Sequence, residues 1–157
     1  MTPFHEIKKV PAIRAIGMSA ETSLWGVDTA LSSLYEKALD HKLQFAEPAL
    51  AIRRGDPAGA NPFHVRLTVL FPLTGEPAGP VPGTEVVELP EAEVASFYHR
   101  GPYEWIPCTY EQVRDWMRRN GRQAAGEVRE VFFVAPDPHS GGSQDDMLTE
   151  IQVPLAA

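Results

Sequence analysis

The chain has a single cysteine, Cys108, among its 157 residues. An internal disulfide needs two thiols and a cysteine-based zinc site needs several at close spacing, so both are excluded and a reducing compartment fits. No stretch approaches the ~18 consecutive apolar residues of a membrane-crossing helix. The start Met1-Thr2-Pro3-Phe4-His5-Glu6 lacks the basic opening and apolar core of a secretory signal. A cytoplasmic protein with no membrane partner is expected. Basic clusters are equally scarce, none being longer than a pair such as Arg53-Arg54 or Arg118-Arg119, against a formal net charge of −7. A negative field of that sign repels phosphate backbones, so nucleic acid is not expected as a direct partner.

Catalytic signatures are also missing. There is no Gly-x-Ser-x-Gly elbow and no glycine-rich phosphate loop, and Cys108 follows Pro107 with no base visible nearby. His5, His41, His64, His99 and His139 contain no pair at helical four-residue spacing and form no cluster with the cysteine. Neither a metal site nor haem nor any other cofactor is expected.

What remains is the composition of a folded domain, 43% hydrophobic and 22% charged, at a length suited to one core spanning 1–157. The chain is written twice. Residues 7–16 read like residues 87–97, each an extended segment, a proline corner at Pro11 or Pro90, and a second extended segment. A helix follows in each half. The first, about Ser23 to His41, carries Leu24, Val27, Leu31, Leu34, Tyr35 and Ala38 at three- and four-residue steps. The second, about Pro107 to Asn120, places Tyr110, Val113, Trp116 and Met117 on one side, with Pro107 in its first turn and Asn120-Gly121 at its end.

Two extended segments close each half: 49–54 and 63–73, then 128–135 and 147–155. In the closing strands Pro72 aligns with Pro154 and Thr68 with Glu150. Phe71 and Phe133 have core parity with their neighbours. The polar loops 56–62 and 136–146 sit at equivalent places. Gly75 to Gly83, with three prolines, is the joint between a first repeat of about 4–73 and a second of about 84–155. Each half alone would expose an apolar helix stripe and a sheet edge, so both are expected to share one sheet.

The run His99-Arg100-Gly101-Pro102-Tyr103-Glu104-Trp105-Ile106-Pro107, continuing to Tyr110 and Trp116, resembles the GyrI-like small-molecule-binding domain, as does the closing Thr149-Glu150-Ile151-Gln152-Val153-Pro154-Leu155. This bacterial domain serves as the effector-binding module of AraC-type and MerR-type multidrug regulators and also stands alone. The resemblance implies an α+β fold of duplicated strand-helix-strand-strand units with pseudo-twofold symmetry. Two helices would pack on one face of a curved antiparallel sheet, with the ligand in a groove on the other. It places the characteristic pocket acid on Glu150 and a pocket aromatic on Tyr103. The chain leaves no room for a helix-turn-helix segment before Ile7 or after Leu155, so a stand-alone binding or sequestering protein is expected.

Strand alternation puts Met147, Ile151, Val153 and Leu155 on the core face and Glu150 and Gln152 on the other. A partly dry Glu150 would favour a cationic partner, and flanking rings would add cation-π contact. The expected ligand is therefore a small hydrophobic, aromatic or cationic molecule, held by Glu150, Tyr103, Trp105, Trp25, Tyr110, Gln152 and Thr68. Trp25 is the repeat counterpart of the second-half aromatics, and Thr68 that of Glu150. Two alternatives use the same groove: hydrolysis of reactive, cyclopropane-type molecules with Glu150 as general base and Tyr103 as acid or donor, and a protein-interaction module directed at gyrase or a separate regulator.

Overall fold

The computed structural model describes residues 3–55, 61–134 and 146–157. Its elements are β1 (Phe4–Val10), β2 (Ile13–Thr22), α1 (Val27–Asp40), β3 (Ala49–Arg53), β4 (Val65–Pro72), β5 (Glu85–Leu89), β6 (Ala92–Arg100), α2 (Ile106–Arg119), β7 (Arg129–Val134) and β8 (Leu148–Pro154). Each half is thus two strands, a helix and two strands, one strand more than the unit the resemblance names. The expected helix and strand positions hold to within a few residues. The loop 136–146 lies almost wholly outside the described residues, as does most of 56–62.

The strands form one antiparallel sheet in the order β1-β6-β8-β7-β3-β4-β2-β5. The order reads alike from either edge, with an exchange: β1 pairs with β6 of the second half, and β5 with β2 of the first. The exchange dictates curvature. β1 and β2 stand six places apart in the sheet, as do β5 and β6; laid flat that is roughly 29 Å at ~4.8 Å per strand. Each pair is joined by only two residues, Pro11-Ala12 and Pro90-Glu91, and a link of three Cα steps spans at most ~11 Å. The sheet must roll until its edges approach, which makes one face concave.

Both helices pack on the outer face. α1 buries Val27, Ala30, Leu34 and Ala38, and α2 buries Ile106, Thr109, Tyr110 and Val113. Tyr35, expected in the first stripe, is 40% exposed, although its ring still meets Phe45 and Phe71. Trp116 and Met117 are partly buried against the core, Trp116 stacking on Phe4. Arg118 and Arg119 in the last turn of α2 complement the helix dipole. Among the described residues no helix is long and apolar enough to cross a membrane, and no three metal-ligating side chains come together.

Cross-strand register sorts the sheet into rungs. On the helix face Val69, Ala51, Glu130, Ile151 and Phe97 lie side by side, all fully buried. Glu130 is the one polar member. On the concave face a smaller core of Ala15, Leu50, Ile52, Leu70, Leu89 and Val131 fills the roll. Phe71 is buried in the helix-side core as its parity implied, but Phe133 is not: Phe132 takes the core position and Phe133 is 47% exposed. The reason is the pairing of Phe132 with Ala49 and Thr149, which fixes even-numbered β7 residues on the helix face.

Candidate functional site

Two carboxylates are buried in the sheet, on opposite faces. Glu150 on β8 pairs in register with Val131 and Tyr98, so its side chain belongs to the concave face, as parity indicated. It is 1% exposed and its oxygens are fully engaged. Lys8 Nζ lies at 2.7 Å, Ser96 Oγ donates at 2.6 Å and Gln152 Nε2 at 2.9 Å. Burial works against the Lys8 charge, but the hydrogen bond and charge of Glu150 outweigh it and hold the ammonium pKa above its usual range. Lys8 comes from β1, the exchanged strand, so the ion pair ties the first half to the second.

Glu130 on β7 faces the helices and is fully buried. Tyr103 donates its hydroxyl proton to Oε1 at 2.5 Å, and Tyr110 donates to Oε2. Arg53 Nη1 donates to the Tyr103 hydroxyl oxygen at 3.0 Å and lies 3.4 Å from Glu130 Oε2, while its guanidinium sits 5.7 Å from the centre of the Tyr110 ring. One acid, one base and two phenols close on each other in an apolar shell. Burial, then the Glu130 charge, push both phenol pKa values well above 10, so the rings stay neutral donors. Burial opposes the Arg53 charge too, yet Glu130 and the two tyrosines outweigh it and raise its pKa.

Local structure explains how Tyr103 gets there. Gly101 adopts φ +108°, a conformation that side chains disfavour, and its N–H bonds the Met147 carbonyl at 2.8 Å. Pro102 then leads into a single 3₁₀ turn, Tyr103–Trp105, that turns Tyr103 inward and leaves Trp105 61% exposed. His99 braces this corner between the Thr109 hydroxyl at 2.7 Å and the Pro102 carbonyl at 2.8 Å. The matching turn Leu24–Gly26 before α1 touches the second and carries Trp25, 52% exposed and 5.3 Å from the exposed Phe63 ring. The two touching turns, with Phe63 beside the first, thus present exposed aromatic rings.

The sequence matches the GyrI-like small molecule binding domain over residues 3–156. The chain belongs to the GyrI-like family. No curated protein matches it. Among solved structures, the C-terminal domain of EcmrR superposes with a TM-score of 0.82 at 13% identity, over 98% of each chain. An uncharacterized conserved protein from Listeria innocua gives 0.68 at 15% identity, over 98% of this chain and 94% of that one. SAV2435, solved bound to tetraphenylphosphonium, gives 0.63 at 12% identity with the same coverages. This GyrI-like chain shares their fold: two helices on one face of an eight-stranded antiparallel sheet.

Set on this GyrI-like framework, the residues named from sequence fall into separate groups. Tyr103 and Tyr110 meet, with Trp105 and Trp25 in the adjoining turns. Glu150 and Gln152 meet on the other side of the sheet and do not touch Tyr103. Thr68 is buried elsewhere on the concave face, accepting a hydrogen bond from Arg54 at 2.9 Å. The expectation that Glu150 and Tyr103 share one hollow is corrected: successive β7 residues Glu130 and Val131 face opposite ways, and only Glu130 reaches Tyr103. Glu130 and Arg53 were overlooked because an acid in Arg129-Glu130 and a base in Arg53-Arg54 look like solvated surface. Parity gave no signal, because Phe132 and Phe133 in succession fit either phase, and only the register places Glu130 with Phe132 on the core face.

Proposed function

We propose that this GyrI-like domain binds lipophilic aromatic molecules on the helix face, with Glu130 as the pocket carboxylate and Tyr103, Tyr110 and Arg53 as its partners. The carrying observation is the full burial of Glu130 against Tyr103, whose turn exposes Trp105 and touches the turn that exposes Trp25. A ligand entering between those turns would meet tryptophan faces first and the phenol-carboxylate cluster below. Its polar end would exchange hydrogen bonds with the tyrosines, and its rings would replace water on the tryptophans. Glu130 is charge-compensated by Arg53, so a positive charge on the ligand is accepted but not required. Glu150, saturated by Lys8, Ser96 and Gln152, acts as a structural ion pair. We read the whole chain as one binding unit made of the two repeats.

Tryptophan-fluorescence titration with tetraphenylphosphonium and with neutral triphenylphosphine oxide tests this reading. Both compounds should bind, with dissociation constants in the micromolar range, about −8 kcal/mol. Glu130→Gln and Tyr103→Phe should each weaken binding by about tenfold, the worth of a hydrogen bond to a charged group, while Glu150→Gln leaves it unchanged. Loss of binding in Glu150→Gln with retention in Glu130→Gln would move the site to the concave face.

A further inference from the structure

The concave face contains a cleft of about 620 Å³ between the Pro90 corner, the approach to β7 and the end of β8. Ile52, Leu89 and Pro154 give it an apolar wall, and Arg129 lines it. Four glutamates stand around it, each within reach of a basic partner: Glu88 with Arg14 at 2.6 Å, Glu91 with Lys9 at 4.0 Å, Glu93 with Arg122 at 3.5 Å and Glu127 with Arg54 at 2.5 Å. Arg129 has no such partner among the described residues. It is 5% exposed; Nη2 donates to the Pro90 carbonyl at 3.0 Å, and the buried Nη1 makes no hydrogen bond.

Buried polar groups are nearly always paired, because stripping a donor of water without replacing its acceptor costs free energy, and more so for a cation. Burial lowers the Arg129 pKa from arginine's ordinary value, the direction expected where no carboxylate compensates. The register-equivalent position in the first half is Leu50, which packs in the apolar core of the roll. An aliphatic residue therefore suits this site on the sheet, and the second half carries a guanidinium instead.

We propose that the cleft is a second binding site, for an apolar monocarboxylate whose carboxylate accepts from Nη1 of Arg129 while its hydrocarbon body covers Ile52, Leu89 and Pro154. Each rim acid has a basic partner, Arg14 being shared between Glu88 and Glu76, whereas Arg129 has no carboxylate partner among the described residues and is the one donor left to satisfy. A single carboxylate matches it. A dianion would set its second charge against the surrounding glutamates. The site lies across the sheet from Glu130 and does not depend on the helix-face ligand.

The probe is 4-phenylbutyrate, followed by calorimetry and by the guanidinium NMR resonance of Arg129 in the unmodified chain. Saturation should shift that resonance. The alcohol 4-phenylbutanol, of like size and uncharged, should need at least tenfold more ligand to shift the same resonance, whatever it does on the helix face. Arg129→Leu should weaken 4-phenylbutyrate at least tenfold. An equal shift of that resonance by the alcohol at the same concentration, an unmoved Arg129 resonance at saturation, or unchanged affinity in a folded Arg129→Leu variant would each overturn the proposal. Phenyl phosphate binding as its dianion as tightly as 4-phenylbutyrate would overturn the monocarboxylate class. Should Arg129→Leu not fold, the resonance and the alcohol comparison decide the matter in the unmodified chain.

Discussion

Removing Arg53 tests whether the buried quartet of Glu130, Arg53, Tyr103 and Tyr110 acts as one electrostatic unit. With Nη1 3.4 Å from the carboxylate and both groups buried, charges roughly 4 Å apart at an effective dielectric of ~20 attract by about 4 kcal/mol. That agrees with the 3–5 kcal/mol typically lost when one member of a buried pair is deleted. Arg53→Met should therefore cost about 4 kcal/mol, and Glu130→Gln a similar amount by leaving the guanidinium unpaired. The double variant Arg53→Met with Glu130→Gln strands no charge and should cost about as much as either single change. Equilibrium urea unfolding of the four proteins closes the cycle, and thermal melts should show each single variant lower by roughly 8–16 °C. Additive losses, with the double variant down by about 8 kcal/mol, would refute the pairing.

Four further outcomes are expected. Tyr103 and Tyr110 have folded-state pKa values well above 10, so the stability they contribute is complete below the unfolded-state pKa near 10 and falls as pH rises beyond it. Between pH 10 and 11 the pair should account for a loss of about 2 kcal/mol, and urea titrations of Tyr103→Phe should show about half that dependence removed. Lys8→Met should destabilise the fold by about 1–2 kcal/mol, measured by urea unfolding, without changing dye affinity on the helix face. Gly17→Ala should cost about 1–3 kcal/mol in the same assay, because the added methyl would meet Leu70 Cδ2 at 2.7 Å and Val87 Cγ2 at 3.0 Å. Cys108 is exposed, and a thiol reagent should titrate one group per native chain without denaturant.

Much of the scaffold was legible in the chain. The two proline corners, both helices and the four closing strands are local features, written in apolar periodicity, in Pro107 near a helix start and in Asn120-Gly121 at a helix end. The face of Glu150 was legible as well, because alternation along a strand is local. Its neighbours were not. Lys8 lies 142 positions away along the chain, and it reaches Glu150 only through the exchange of β1 into the second half. Phe133 was misplaced for a related reason: two consecutive phenylalanines satisfy either parity, and the β3 and β7 register alone chooses Phe132 for the core.

The amino-acid order by itself determined the elements and the family, since helix stripes, turns and motif spacing act over a few residues. Tertiary structure decided which buried acid meets which base. Glu130 becomes a caged partner of Tyr103, Tyr110 and Arg53, and Glu150 a saturated strut, because cross-strand register and the rolled sheet bring together groups between 20 and 142 positions apart. Electrostatic strength depends on distance and burial in space, and neither quantity is written in the spacing of residues along the chain.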